Sequence, residues 1–162
     1  MIKIRHSNTE DIPQIKGIYE QPDNYAQTLQ LPFPSLEKWQ KFLSSPSDNF
    51  YSLVAERDGQ IVGQLGMECF QSPRRRHVAN IGMAVDSKCL RQGVGEKLLL
   101  SAIDLALNWL AIRRIELEVY TDNDAAIALY KKLGFEQEGL AKGYAFKDGQ
   151  FVDVIYMAKT CK

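Results

Sequence analysis

Apolar and polar residues alternate with two different periods along this chain. A period of two, bounded by turn-forming residues, predicts β-strands. Seven segments show it: residues 2–6, Tyr51–Glu56, Ile61–Met67, His77–Val85, Ile115–Val119, Phe135–Phe146 and Phe151–Ala158. Asp58-Gly59 and Asp148-Gly149 each separate two of these segments, which predicts two β-hairpins.

Other segments repeat their apolar residues every three or four positions, which predicts amphipathic helices. They are Glu10–Glu20 with Thr9 as its cap, a helix that starts after Ser35, Val94–Leu110, and Asp124–Leu133. In the longest of them, the predicted buried face consists of Val94, Leu98, Ala102, Leu105, Ala106 and Trp109. Gly134 follows the last helix, where a left-handed glycine often ends one. The proline-containing segment 21–34 is predicted to be a partly ordered loop.

The predicted element order is β-α-α-β-β-β-α-β-α-β-β, which indicates a mixed α/β fold. Its first half is antiparallel, and one βαβ crossover surrounds the long helix. The chain has 162 residues without a linker, a repeat or a low-complexity tract. We therefore expect a single domain that spans residues 1–162.

Charge and cysteine content narrow the function classes. Lys plus Arg and Asp plus Glu number 20 each, whereas nucleic-acid binding usually requires a basic excess, so no nucleic-acid partner is predicted. No apolar run has the length of a membrane span, and no membrane partner is predicted either. Cys69, Cys89 and Cys161 form neither a disulfide framework nor a metal-ligand spacing. We expect a cytoplasmic protein without a metal.

A polar loop, Asp86–Gln92, leaves a predicted strand, and Gly93-Val94-Gly95 opens the long helix. Glycines at a helix start let a ligand approach the unpaired N–H groups of the first turn, which attract anions such as a pyrophosphate. The loop is not a dinucleotide fingerprint, since Leu98 occupies the third glycine position, and no Gly-Lys pair has the P-loop spacing. A tight turn that binds no ligand is equally compatible with two glycines.

A family resemblance favours the interpretation of this loop as a ligand-binding loop. Ile81–Val85 followed by Arg91–Gly95 resembles the signature segment of the GCN5-related N-acetyltransferases, and so does Asn123–Phe135. The element order is similar over essentially the whole chain. The resemblance implies a mixed, mostly antiparallel twisted sheet of about seven strands flanked by four helices. It also implies acetyl-CoA as the cosubstrate.

Three further segments resemble bacterial L-amino-acid N-acetyltransferases, which act on free hydrophobic amino acids. They are Thr28–Pro32, Pro73–Val78 and Asp148–Asp153. The implied function is transfer of acetyl from acetyl-CoA to a primary amine, by direct attack in a ternary complex. Other members of the family acetylate polyamines, drug-like amines or protein N-termini, and a module that binds acyl-CoA without turnover is the non-enzyme alternative. The oligomeric state is open between a monomer and a homodimer.

The same resemblance implies the cofactor site. Its residues would be Met83, Ala84, Val85, Arg91, Gln92, Gly93, Val94, Gly95, Glu96, Asn123 and Tyr130. The strand residues would pair with the pantetheine arm as an added strand does, and the loop would hold the pyrophosphate. Leu90 stands where the family often has Gln or Arg, so binding should rely on backbone N–H groups. Asn123 has a second interpretation, as the cap of the following helix.

Acetyl transfer from a thioester to an amine requires a stabilised oxyanion and a stabilised thiolate. The resemblance implies an oxyanion donor near Ala84. It also implies that Tyr130 assists the leaving thiolate of CoA. A thiol titrates near 8.5 and a phenol near 10, so full proton transfer would be uphill by roughly 2 kcal/mol. Donation of a hydrogen bond by Tyr130 is therefore the expected role. Without the resemblance, Tyr130 would be interpreted as a packed helix aromatic.

The general base has several candidates. Glu116 and Glu118 lie on one face of a predicted strand, and the resemblance associates Glu118 with relatives that act on protein N-termini and Glu116 with those that act on amino acids. Both could also be solvated carboxylates. An α-amine is about a tenth neutral at pH 7, so a water relay could suffice. His77 is a further candidate, although a histidine at a strand end is more often structural.

Two features near the site have open interpretations. Arg74–Arg76 could attract the carboxylate of a substrate or a cofactor phosphate, or be solvated. The apolar residues of segment 21–34 could line a pocket for a hydrophobic side chain, or pack onto the sheet. These residues are Tyr25, Leu29, Leu31 and Phe33.

Overall fold

The computed structural model describes residues 1–162, and its backbone forms one twisted seven-stranded sheet. The strands are β1 (Lys3–His6), β2 (Phe50–Arg57), β3 (Gln60–Cys69), β4 (Val78–Val85), β5 (Arg114–Tyr120), β6 (Glu136–Lys147) and β7 (Gln150–Thr160). Their order in the sheet is β1-β2-β3-β4-β5-β7-β6. Only β4 and β5 are parallel, so the predicted mixed and mostly antiparallel sheet is confirmed.

Five α-helices accompany the sheet, one more than the sequence predicted. They are α1 (Ile12–Tyr19), α2 (Pro22–Ala26), α3 (Leu36–Ser44), α4 (Val94–Asp104) and α5 (Asp124–Lys132). The additional helix is α2, in the segment that we predicted to be a loop. Pro22 occupies its first position, where a missing N–H removes no helical hydrogen bond. No helix is both long enough and apolar enough to cross a membrane.

Two details of the predicted helices were wrong. Thr9 is not the first cap, because the Asn8 side chain accepts a hydrogen bond from the Glu10 N–H at 2.9 Å and starts a 3₁₀ turn before α1. After α4, a wide π turn is closed by the Leu110 N–H and the Leu105 carbonyl at 3.1 Å. The extra residue in that turn moves Trp109 out of the buried stripe, and its side chain is 76% exposed.

The predicted turns are confirmed by their backbone angles. Asp58 and Gly59 have φ of 52° and 77°, and Asp148 and Gly149 have φ of 50° and 75°. Two consecutive positive φ values are typical of the type I′ turns that suit the twist of a hairpin. Gly134 has a φ of 95° and ends α5 in the left-handed conformation, as the glycine position predicted.

The helices cover the two faces of the sheet unequally. On one face, α4 and α5 bury a core that runs through the sheet interior and includes Leu65, Met67, Leu98, Leu99 and Leu117. On the other face, α1 and α3 cover only the β2–β4 half, with Ile12, Ile15, Val54, Ile61 and Ala84 between the layers. The β5–β7 half of that second face carries no helix. Polar and aromatic side chains of β5 and β7 are therefore accessible there.

The parallel strands β4 and β5 diverge soon after they meet. They pair only at Val78–Asn80, opposite Arg114–Glu116. Beyond this point β4 stays paired with β3, and β5 stays paired with β7. The sheet therefore opens a gap between residues 81–85 of β4 and residues 117–120 of β5.

Candidate active site

The side of β4 that faces the gap carries free backbone groups. In antiparallel pairs, alternate residues exchange both backbone hydrogen bonds with the partner strand. The Asp86 N–H donates to the Val62 carbonyl at 2.9 Å and the Phe70 N–H donates to the Val78 carbonyl at 3.0 Å. Even-numbered residues of β4 therefore turn their backbone groups toward β3. Its odd-numbered residues, Met83 and Val85 among them, turn theirs toward the gap.

This register changes one expectation about the oxyanion donor. The N–H of Ala84 faces β3, so Ala84 does not provide the donor that was expected near it. The Ala84 side chain is buried under the N-terminal helices. Met83 and Val85 are the nearest residues whose N–H groups face the gap. Hydrophobic pattern alone could not show this, because it predicts which way side chains point and not which strand lies on which side.

A side chain from α2 already binds one group of this edge. The Asn24 Nδ2 donates to the Val85 carbonyl at 2.9 Å and to the Ile18 carbonyl at 2.9 Å. Gln21 adds a second contact, since its Oε1 accepts from the Ser87 N–H at 2.9 Å. These bonds fix α2 to the end of β4 and leave the N–H of Val85 available. No sequence signal indicated Asn24 or Gln21.

The glycine-containing loop has the backbone geometry of an open helix start. Arg91 and Gly93 have φ of 60° and 82°, and Gly93 caps α4. A Cβ built on Gly93 would meet no heavy atom within 4 Å, whereas one on Gly95 would lie 3.4 Å from Leu129 and from Met83. Gly93 thus keeps the first turn of α4 open to a ligand, and Gly95 allows close packing against α5 and β4.

Side chains of this loop are mainly committed to holding its shape. Arg57 of β2 donates to Gln92 Oε1 at 2.7 Å and to the Cys89 Sγ at 2.8 Å. The Glu96 carboxylate forms an ion pair with Lys132 at 2.9 Å. Backbone N–H groups at the start of α4 thus remain available for an anion, together with the exposed Arg91 side chain, which forms no ion pair. Arg57 lies 35 residues from Gln92, and no sequence pattern linked the two.

Tyr130 lies in α5 with its ring buried against Phe135 at a centroid distance of 5.7 Å. Burial raises the pKa of Tyr130 to about 12. Its hydroxyl forms no hydrogen bond within the protein. Asn123 caps the same helix, since its Oδ1 accepts from the Ala126 N–H at 3.3 Å. This is the capping geometry that was weighed as the second interpretation of Asn123, and it leaves the side-chain NH₂ free.

The two candidate carboxylates have different surroundings. Glu116 forms ion pairs with Arg75 at 2.6 Å and with Arg114 at 2.9 Å. Glu118 lies where the strands begin to diverge, and its two carboxylate oxygens each accept from Asn80 Nδ2 at 3.2 Å. The Glu116 carboxylate is thus held by two guanidinium groups, whereas the Glu118 carboxylate is held by one amide. Asn80 was not identified from the sequence.

The remaining candidates lie around these carboxylates. Arg75 also stacks over Phe70 at 4.9 Å from the ring centroid, and Arg76 Nε donates to the Gln71 carbonyl at 3.4 Å. Arg74 has no acidic partner. His77 is exposed at the start of β4, and its side chain forms no bond to either glutamate. The arginine loop therefore adjoins the carboxylate face, whereas nothing in the geometry makes His77 a base.

The apolar loop before α3 is tied to the same face. The Tyr120 hydroxyl donates to the Thr28 carbonyl at 3.0 Å. Leu29, Leu31 and Phe33 are 68%, 77% and 99% exposed, so these three do not pack onto the sheet. Their packing interpretation was wrong. The loop thus presents apolar side chains to solvent beside the open half of the sheet.

Comparison with protein families matches residues 15–135 to the acetyltransferase (GNAT) family. The chain belongs to this family. The predicted acetyltransferase activity and the acetyl-CoA cosubstrate are confirmed by this membership. The open strand edge and the glycine helix start of this acetyltransferase lie within the matched residues.

Individual relatives of this acetyltransferase are themselves named as acetyltransferases. The L-amino acid N-acetyltransferase AaaT of Escherichia coli (strain K12) is 46% identical over 158 residues, which cover 98% of this chain and 97% of AaaT. A crystal structure of ribosomal-protein-alanine N-acetyltransferase from Brucella melitensis has a TM-score of 0.87 at 30% identity, covering 98% and 99% of the two chains. A phosphinothricin acetyltransferase from Sinorhizobium meliloti, in complex with AcCoA, shares the fold with a TM-score of 0.87 at 23% identity, covering 98% and 88%.

The helix start predicts an order of effects on CoA affinity. Gly93→Val should raise the dissociation constant of CoA at least about tenfold, because a branched side chain strains a φ of 82° and fills the open turn. Arg91→Ala should change it by less than about threefold, since the backbone donors remain. Calorimetric titration of CoA measures both. A larger loss in Arg91→Ala than in Gly93→Val would show that side-chain charge dominates.

Proposed function

We propose that this acetyltransferase moves the acetyl group of acetyl-CoA to the α-amine of a free L-amino acid with a hydrophobic side chain. The observation that carries the substrate class is the 46% identity to the L-amino acid N-acetyltransferase AaaT over nearly the whole of both chains. The uncovered sheet face supports the proposal, because a carboxylate, guanidinium groups and apolar loop residues lie around it. A cytoplasmic location and a homodimer stay predictions.

The cofactor fits the free edge of β4 and the start of α4. The N–H groups of Met83 and Val85 would pair with the extended amide-bearing arm. The backbone of Arg91–Glu96 would hold the pyrophosphate, and the open space around Gly93 permits that approach. Bound there, the thioester supplies the acetyl group. A Met83 or Val85 N–H would then stabilise the negative charge that develops on the carbonyl oxygen.

Glu118 is the proposed base. Its oxygens bind only the Asn80 amide, whereas Glu116 is held by two arginines. The demand on the base is small, because about a tenth of an α-amine is already neutral at pH 7. Glu118 would take the proton from the remaining fraction. Glu116 would instead orient Arg75 and Arg114.

Tyr130 is the proposed donor to the leaving thiolate. With the pKa of Tyr130 raised to about 12 by burial, full proton transfer to a thiolate near 8.5 is uphill by roughly 5 kcal/mol. The hydroxyl therefore stabilises the thiolate by a hydrogen bond and keeps its own proton. Although the residue is 7% exposed, its hydroxyl has no partner within the protein and is therefore free to make this bond.

Arginine and loop residues fit the rest of an amino acid. Residues 116 and 118 are two positions apart on β5, about 7 Å along the strand, so Arg75 beside Glu116 lies within reach of a carboxylate whose α-amine is at Glu118. Leu29 and Leu31 would cover a hydrophobic side chain. A polyamine fits less well, because its second ammonium would meet the positive charges of Arg74 and Arg75.

Thiol release from acetyl-CoA against a panel of amines tests the proposal. Hydrophobic amino acids such as leucine and methionine should be acetylated with higher kcat/KM than spermidine or a peptide N-terminus. The physical reason is that the site offers a carboxylate for the α-amine and, across from it, a guanidinium cluster for the substrate carboxylate. A preference for spermidine, or CoA binding without turnover of any amino acid, would contradict the assignment.

Tyr130→Phe should lower kcat about 10- to 100-fold, because one hydrogen bond to a charged group is lost. The KM for acetyl-CoA should change by less than about threefold. Because the folded pKa of about 12 is raised, the hydroxyl keeps its proton until pH approaches that value. Tyr130 should therefore add no titration between about pH 6 and 10. Steady-state rates across that range measure it. If a limb of the wild-type pH–rate profile disappeared in Tyr130→Phe, this role would be ruled out.

Glu118→Gln should lower kcat/KM for the amine about tenfold at pH 7, since only the neutral fraction of the amine then reacts. The deficit should shrink as pH rises through the pKa of the amine. Glu116→Gln is the matched control on the same strand face and should lack this pH dependence. A pH-independent deficit in Glu118→Gln, or the larger pH-dependent deficit in Glu116→Gln, would be evidence against Glu118 as the base.

A further inference from the structure

We propose that Tyr156 and Tyr144 form an aromatic wall beside Glu118 that binds the acceptor amine as an ammonium ion before its proton is lost. This inference rests on the proposed function and extends it, because it names the protonation state that the site recognises. Tyr156 and Tyr144 would be specificity-determining residues. Neither residue was among the candidates indicated by the sequence.

The register of β5 and β7 places the first ring. Glu118 and Tyr156 are direct Cα partners in this antiparallel pair, and such cross-strand neighbours have Cβ atoms about 4.5–5.5 Å apart on the same face. That face is the β5–β7 half that no helix covers. Asn80 holds the Glu118 carboxylate from the opposite strand at 3.2 Å. The carboxylate therefore lies between an amide and an aromatic ring.

A bulge in β6 places the second ring. The pairing of β6 with β7 is irregular between Ala141 and Ala145, where Gly143 has a φ of 61°. The Gly143 N–H donates to Asp153 Oδ1 at 2.8 Å and fixes the bulge. Tyr144 then packs edge-to-face on Tyr156, with centroids 6.2 Å apart and an interplanar angle of 87°.

The two rings and the carboxylate face a common space. Tyr144 and Tyr156 are 39% and 40% exposed, so part of each ring remains available to a ligand. Burial and then the charge of Glu118 raise the pKa of Tyr144, which agrees with the proximity of the phenol to the carboxylate. Exposed aromatic faces next to a carboxylate attract a primary ammonium by cation–π and ion-pair contacts together.

The proton balance follows from this arrangement. An N–H bond of the bound ammonium breaks, an O–H bond forms on Glu118, and the nitrogen regains the lone pair with which it attacks the acetyl carbon. As the N–C bond forms, the C–S bond of the thioester breaks, and the leaving thiolate takes up the second proton that the nitrogen loses. The aromatic wall acts before this step, so it should affect binding and leave the later chemistry unchanged. The positively charged form is the major form of an α-amine at pH 7, so a site that recognises the ammonium binds most of the substrate present.

The test compares three variants with the wild-type enzyme at pH 7. Tyr156→Leu should raise the KM of the best amino-acid substrate about 3- to 10-fold with kcat within twofold, because the ring face is lost. Tyr156→Phe retains the ring face and should keep the wild-type KM. Phe146→Leu is the matched control, since Phe146 forms an edge-to-face pair with Phe151 at 5.0 Å on the same hairpin and is 62% exposed.

Calorimetric binding in the presence of CoA provides a second measurement that needs no turnover. Tyr156→Leu should weaken binding of leucine by the same factor and leave 4-methylpentanoate, its analogue without the amine, unaffected. Equal affinities for leucine in wild type and Tyr156→Leu, equal losses for both ligands, or no binding of leucine would overturn the inference. If Tyr156→Leu does not fold, Tyr144→Leu takes its place in both measurements.

The two proposals fail in different ways. Absence of amino-acid turnover in the amine panel contradicts the proposed function, and the calorimetric comparison still decides the inference. Turnover of amino acids with an unchanged KM in Tyr156→Leu contradicts the inference alone. Recovery of the wild-type KM in Tyr156→Phe separates loss of the ring face from loss of the hydroxyl.

Discussion

Peptide groups at a sheet edge need hydrogen-bond partners, and the gap between β4 and β5 concentrates that need at one place. β4 is held by β3 and β5 is held by β7 along most of their lengths. Neither strand can turn toward the other without breaking an existing ladder. The gap is therefore maintained by the rest of the sheet, and an extended ligand with amide groups can complete what the fold leaves open.

The helices give this gap its two ends. On one side α4 begins at Gly93 and presents unpaired N–H groups, and α5 places the Tyr130 ring against Phe135. On the other side α2 binds the Val85 carbonyl through Asn24. The Val85 carbonyl is thus satisfied, whereas the N–H groups of Met83 and Val85 stay open toward the gap. The position of each donor depends on packing between elements that are distant in the chain.

Charge distribution divides the open face of the sheet into two zones. Around Glu116 lie the guanidinium groups of Arg75 and Arg114, the second of which is also paired with Glu138. Around Glu118 lie the Asn80 amide and the phenol rings of Tyr156 and Tyr144. A zwitterionic substrate fits such a division, since its amine and its carboxylate need opposite partners a few ångströms apart. The neighbouring strand positions 116 and 118 thereby have different surroundings, although they share a face.

Local patterns in the sequence determined the seven strands, four of the five helices, both hairpin turns and the glycine helix start. Each depends on neighbouring residues, through hydrophobic period, turn chemistry or a positive φ. The tertiary structure alone decided that Ala84 faces β3, that Asn80 and Tyr156 flank Glu118, and that Arg75 and Arg114 bind Glu116. These features depend on strand register and on contacts between residues far apart in the chain, which no single segment encodes. The candidate site was therefore predicted from the sequence and its family resemblance, whereas the partners of its groups required the fold.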